Sequence, residues 1–117
     1  MTQTLPECLR SFIQSANTHP HIAKLLKGWE PLLSIEATDD GQCFNLRVRD
    51  SRIDEVAGED TDAAHSILVR GESDVLREVF SGGLNPAQAY LEGNLEVFGS
   101  ERDHIKLDAI TLVLWGM

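Results

Sequence analysis

Basic residues, cysteines and aromatic side chains are scarce in this chain, and a long apolar run is missing altogether. Ten Lys and Arg stand against nineteen Asp and Glu, a formal net charge of -9. Nucleic-acid binding needs a basic footprint that displaces counterions, so nucleic acid is excluded as a partner. The same deficit works against anionic membrane surfaces and leaves room only for a local apolar contact. No stretch of about 18 uncharged apolar residues occurs, which excludes a spanning helix and stable membrane insertion. The stretch Met1-Thr2-Gln3-Thr4-Leu5-Pro6-Glu7 has neither a basic segment nor an apolar core, so secretion is not expected. Cys8 and Cys43 form no CxxC pair and read as reduced thiols of a cytoplasmic protein.

What is present is the material of an ordinary soluble domain, with 42% hydrophobic and 25% charged residues. A chain of 117 residues buries roughly 65% of its unfolded surface, enough for one core without metal or disulfide. No internal repeat, low-complexity segment or linker interrupts it, so residues 1–117 are expected to form one domain.

Leu5, Cys8, Leu9, Phe12, Ile13 and Ala16 draw one apolar stripe at helical spacing. Asn17-Thr18-His19-Pro20 interrupts it, because a proline disfavours helix at the residue before it. A shorter helical pattern follows through Ile22, Leu25, Leu26 and Trp29 and stops between Gly28 and Pro31. The period then becomes two. Leu33, Ile35 and Ala37, the turn Asp39-Asp40-Gly41, and Phe44, Leu46 and Val48 predict a hairpin with one wet face. Arg52 to Val56 is a weak third strand, Ala57 to Ala63 an acidic loop, and Ile67 to Val69 a fourth strand ending at Gly71.

Ser73 is placed to cap a short helix bearing Val75, Leu76, Val79 and Phe80, ended by Gly82-Gly83. Asn85-Pro86 opens another, with Gln88 placed to reach back, and Gly93 closes it. Leu95 to Phe98 is a fifth strand, and Ser100 caps a final helix with Asp103 three residues on. That helix carries Ile105, Leu107, Ala109, Ile110, Leu112, Val113, Leu114 and Trp115, apolar around most of its circumference. Such a helix wants burial on more than one side. A sheet covers one; a second helix, a partner subunit or a cavity with apolar contents must cover the other.

Catalytic and metal chemistry is absent from the pattern. His19, His21, His65 and His104 have no Cys, Asp or Glu at a recurring ligand spacing, so no metal is expected. Gly99-Ser100-Glu101-Arg102 lacks the second glycine of a nucleophile elbow, and helix capping accounts for Ser100. Gly82, Gly83, Gly93 and Gly99 fit no dinucleotide or phosphate loop, so no cofactor is expected. Asp60, Asp62, Glu72 and Asp74 read as a solvated acidic rim. The chain is not read as an enzyme.

From Ala64 onward the order of features resembles the sterol carrier protein type two family. The runs are His65-Ser66-Ile67-Leu68-Val69, Ser73-Asp74-Val75-Leu76, Ser81-Gly82-Gly83-Leu84-Asn85-Pro86-Ala87-Gln88-Ala89 and Glu92-Gly93-Asn94-Leu95-Glu96-Val97-Phe98-Gly99. They match a G-x-x-N-P-x-x-A turn and a G-x-L-x-V-x-G strand at the family's spacing, over about half the chain. The first half agrees only in its order of elements.

The resemblance implies an α+β fold: a five-stranded, mainly antiparallel sheet covered by helices, with an apolar tunnel between them. It implies a non-enzymatic carrier of a fatty acid, phospholipid, quinone-type lipid or sterol, without catalytic residues. Carried over by position, the lining would be Leu76, Val79 and Phe80, then Leu84, Tyr90 and Leu91, then Phe98, Ile105, Ala109, Leu112 and Val113. The Tyr90 hydroxyl is a candidate for meeting a lipid head group. Two departures shape the expectation. The chain is acidic and has no lysine beside Asn85-Pro86, which disfavours acyl-CoA and anionic membranes. It ends Trp115-Gly116-Met117 rather than in a peroxisomal address, which favours a small bacterial-type cytoplasmic member and a ligand other than a sterol. The alternative is an interaction module on the same fold, its apolar final helix facing a second copy or a lipid-handling enzyme.

Overall fold

A computed structural model describes residues 4–56 and 66–116. The acidic loop expected at Ala57 to Ala63, with Asp60, Asp62 and His65, lies outside the described residues, as does Met117. The chain runs α1 (Leu5–Thr18), α2 (Pro20–Leu26), β1 (Leu32–Ala37), β2 (Cys43–Arg49), β3 (Arg52–Val56) and β4 (Ser66–Gly71). It continues through α3 (Ser73–Ser81), α4 (Pro86–Leu91), β5 (Leu95–Phe98) and α5 (Glu101–Trp115).

The strands form one five-stranded sheet in the order β3-β2-β1-β4-β5. Three of its pairings are antiparallel; the central one, β1 with β4, is parallel and sets Leu33 beside Ile67 and Ile35 beside Val69. The sheet is therefore mixed. A parallel partner needs a crossover rather than a hairpin, and β2 and β3 lie on the path of that connection.

Alternation fixes the two faces. Leu33, Ile35, Ala37, Leu46, Val48, Ile53, Ile67, Val69 and Leu95 are buried beneath the helices. The opposite face is polar: Ser34 donates to Asn45 Oδ1 at 2.8 Å, and Arg70 lies between Glu36 and Glu96 at 3.4 and 3.9 Å. Those three charges sit side by side on β1, β4 and β5, so alternate signs meet across the strands.

The helices begin where their caps dictate. Thr4 forms a capping box with Glu7 at the start of α1, and Ser100 forms one with Asp103 at the start of α5. Asn85 accepts from the N–H groups of Ala87 and Gln88 and starts α4. Helix α3 differs from the expectation. Its N-cap position is Glu72, which makes no side-chain cap, and Ser73 is already helical. Asp39, in the β1–β2 turn, instead accepts from the Ser73 N–H and hydroxyl at 2.8 Å each, capping the helix from 34 residues away.

Two further contacts lock the helical layer. Phe12 meets Phe80 edge to face with centroids 5.2 Å apart, and Trp115 packs on Phe12 at 6.0 Å. Gly82 has φ +86°, and a Cβ there would lie 2.7 Å from the Trp115 ring, so only glycine fits. At the outer edge of the sheet Asn17 behaves as a short strand: its amide donates to the Ile53 carbonyl at 2.7 Å and accepts from the Ile53 N–H at 2.8 Å.

Candidate functional site

The helical layer does not close evenly over the sheet. Between β4 and β5 on one side and α3, α4 and α5 on the other lies a cleft of about 210 Å³. Its floor is Val69, Leu95 and Val97, the inward positions of β4 and β5. Phe12, Val79 and Phe80 close the inner end, Leu107 and Ile110 form one wall, and Pro86, Ala87, Tyr90 and Leu91 form the other. Tyr90 and Leu91 are 45% and 83% exposed and mark the rim. Polar side chains enter almost entirely from one stripe of α5, where His104, Asp108 and Thr111 follow at i, i+4 and i+7.

The position of α5 is set at its first turn, where Asp103 shares the inward face of the helix with Leu107 and Ile110, four and seven residues on. Asp103 is fully buried there; its Oδ1 accepts from the Trp29 Nε1–H at 3.0 Å, and its Oδ2 from the Ser100 N–H at 2.9 Å. Lys106, on the same side, donates to the Leu25 carbonyl at 2.7 Å. With the first turn of the helix fixed in this way, the stripe 104–107–108–111 faces the cleft.

Partial desolvation at the edge of the cleft pushes the Asp108 carboxyl up from its ordinary value, although the side chain still reaches solvent, and His104 one turn away pulls it partly back. Tyr90 meets His104 edge to face with centroids 5.4 Å apart. The Thr111 hydroxyl donates to the Asp108 main-chain carbonyl at 2.9 Å. Elsewhere, burial raises the Cys8 thiol, with Arg77 acting the other way, which keeps it a poor nucleophile; Cys43 is exposed and unbridged. Among the described residues no group of three His, Cys, Asp or Glu could hold a metal ion.

Of the eleven positions expected to line a tunnel, Val79, Phe80, Tyr90 and Leu91 surround this cleft. Leu76 is fully buried in the core, and Leu84 and Val113 pack against that core. Phe98 falls on the other face of the sheet. Its neighbours Leu95 and Val97 point inward, so strand alternation turns Phe98 outward beside Glu96, 50% exposed. Ile105 and Leu112, 61% and 56% exposed, lie on the outer face of α5 with the half-covered Ala109. The helix is rotated from the expected orientation because the Trp29–Asp103 hydrogen bond decides which side is buried.

The expected lining left out Phe12, Val69, Pro86, Ala87, Leu95, Val97, His104, Leu107, Asp108, Ile110 and Thr111. A signal existed for part of this set. His104, Asp108 and Thr111 are the one polar stripe at helical spacing on an otherwise apolar helix, and Leu95 and Val97 share one strand face.

No protein-family model matches the chain, and no curated protein sequence does. Solved structures do match. A protein described as UbiJ-SCP2 ubiquinone synthesis protein superposes with a TM-score of 0.67 at 15% identity, over 90% of this chain and 85% of its own. Palmitated SCP2L2 from Aedes aegypti gives 0.61 at 12% identity, over 93% and 95%. The sec-alkylsulfatase Pisa1 from Pseudomonas sp. gives 0.60 at 18% identity over 79% of this chain, which spans 14% of the sulfatase. The architecture is the sterol carrier protein 2 fold.

Proposed function

We propose that this protein is a non-enzymatic carrier that holds the apolar chain of a lipid in the cleft between β4–β5 and α3–α5, as one domain in the cytoplasm. One observation carries the reading: the helical layer leaves an apolar cleft of about 210 Å³ in a fold that a palmitated protein shares. An engineered cavity of about 150 Å³ takes a benzene ring, so this volume holds on the order of eight chain carbons. At ~0.8 kcal/mol per buried methylene that is about 6 kcal/mol before the chain is ordered, enough for reversible loading. Two unbridged cysteines fit a reducing compartment. Among the described residues no helix is long and apolar enough to cross a membrane.

The polar groups of the cleft do not form a nucleophile–base pair, because the Thr111 hydroxyl is committed to a main-chain carbonyl. The sulfatase's activity is a property of a chain of which this fold is a small part. A second reading, docking to a second copy or a lipid-handling enzyme, rests on the apolar outer face formed by Ile105 and Leu112.

Native mass spectrometry of the freshly purified protein, followed by organic extraction, tests the first reading. The expected result is a discrete extra mass that disappears on denaturation and is missing in Ala87→Trp, whose indole fills the cleft. An apo protein that ignores a panel of acyl chains and quinones would overturn it. Ile105→Glu should leave loading intact; if instead it dissolves a concentration-dependent oligomer in sedimentation, the outer face is the functional surface.

A further inference from the structure

The cleft is apolar except at Tyr90 and along the α5 stripe of His104, Asp108 and Thr111, and among the described residues no Lys or Arg lines it. Lys106 of α5 turns away from the cleft to the Leu25 carbonyl. Thr111 directs its hydroxyl hydrogen to the main chain, and the Tyr90 and His104 rings hold one another edge to face. The carboxylate of Asp108 is thus the acidic acceptor at the mouth of an apolar cleft.

Resting on the carrier reading above, we infer that the mouth of the cleft at Asp108 receives the uncharged hydroxyl head of a lipid and rejects an anionic one. A hydroxyl donates to the carboxylate in a charge-assisted hydrogen bond. A fatty-acid carboxylate or a phosphate at the same place meets like charge without a fixed cation to offset it. A charge on His104 would at most balance that of Asp108, leaving no net attraction for an anion. The overall charge of -9 adds to the rejection at longer range.

The test is displacement of the neutral dye Nile red by decanol and by decanoate, at mildly alkaline pH, in the natural protein and in Asp108→Asn. Asp108 is solvent-exposed, so the substitution leaves the core intact. Decanol is expected to compete in both proteins and somewhat less well in Asp108→Asn, since an amide oxygen accepts a weaker hydrogen bond than a carboxylate. Decanoate is expected to compete poorly in the natural protein and about tenfold better in Asp108→Asn, the scale of relieving one like-charge contact. The decisive quantity is the change in the decanol-to-decanoate ratio, which cancels the different water solubilities of the two ligands. An unchanged ratio overturns the inference while leaving the carrier reading intact. Failure of the dye and both ligands to bind overturns the carrier reading, and the head-group inference with it.

Discussion

Under the helices at the β3–β2–β1 end of the sheet, Ile53, Leu46, Val48, Leu33 and Ile35 are at most 2% exposed; at the β4–β5 end Val97 is only partly covered and Leu91 is 83% exposed. The residue types at the two ends are much the same. The lids differ. Helix α1 has 14 residues and spans ~21 Å, whereas α4 has six and spans ~9 Å. The short lid covers Leu95 but leaves Val97 of β5 only partly covered, and α5, tied at its first turn to Trp29, is held in place. A cleft here needs no unusual residues. It needs a short helix on one side and an anchored one on the other.

That contrast can be broken most sharply at the anchor. Asp103→Leu leaves the Trp29 indole N–H and the Ser100 N–H without acceptors, costing about 4 kcal/mol for two stranded donors. Asp103→Asn keeps one of the two acceptors and should lose about half of that, read by urea unfolding. Next, the same truncation at the two ends should differ. Leu46→Ala opens a new void under α1 and should cost about 3 kcal/mol, whereas Leu107→Ala widens an existing cleft and should cost about 1 kcal/mol. Equal losses would mean that the cleft end is as tightly packed as the closed end.

The smallest effect is expected at the clamp that ties the β1–β2 turn to α3. Hydrogen bonds from the Ser73 main chain and hydroxyl hold the Asp39 carboxyl below its usual range. A carboxyl whose folded pKa is depressed contributes stability above the unfolded value of about 3.9 and loses it as pH falls through the folded value. Asp39→Ala should therefore melt slightly lower than the natural protein near neutrality. The two melting curves should converge in acid.

The elements were legible because their boundaries are chemical. Asn85-Pro86 starts a helix, Gly82-Gly83 ends one, and Ser100 with Asp103 makes the predicted box. The parallel β1–β4 pairing was not legible, since no local signal says which strand a chain returns to. For the cleft, the helices and strand that form it were readable, but the orientation of α5 was not. A helix apolar nearly all round carries no information about which side faces in. The deciding contact joins Trp29 to Asp103, 74 residues apart. Phe98 is a different case. The alternation of Leu95, Glu96 and Val97 already assigns it to the outer face, against its hydrophobicity.

The amide of Asn17 has a consequence beyond the fold of one molecule. Strand β3 ends the sheet, and the exposed backbone of an edge strand is a template onto which another chain can add. By occupying both the N–H and the carbonyl of Ile53, Asn17 removes one rung of that template at the second residue of a five-residue strand. A single side chain placed by the end of α1 therefore covers part of an edge on which a second chain could otherwise add.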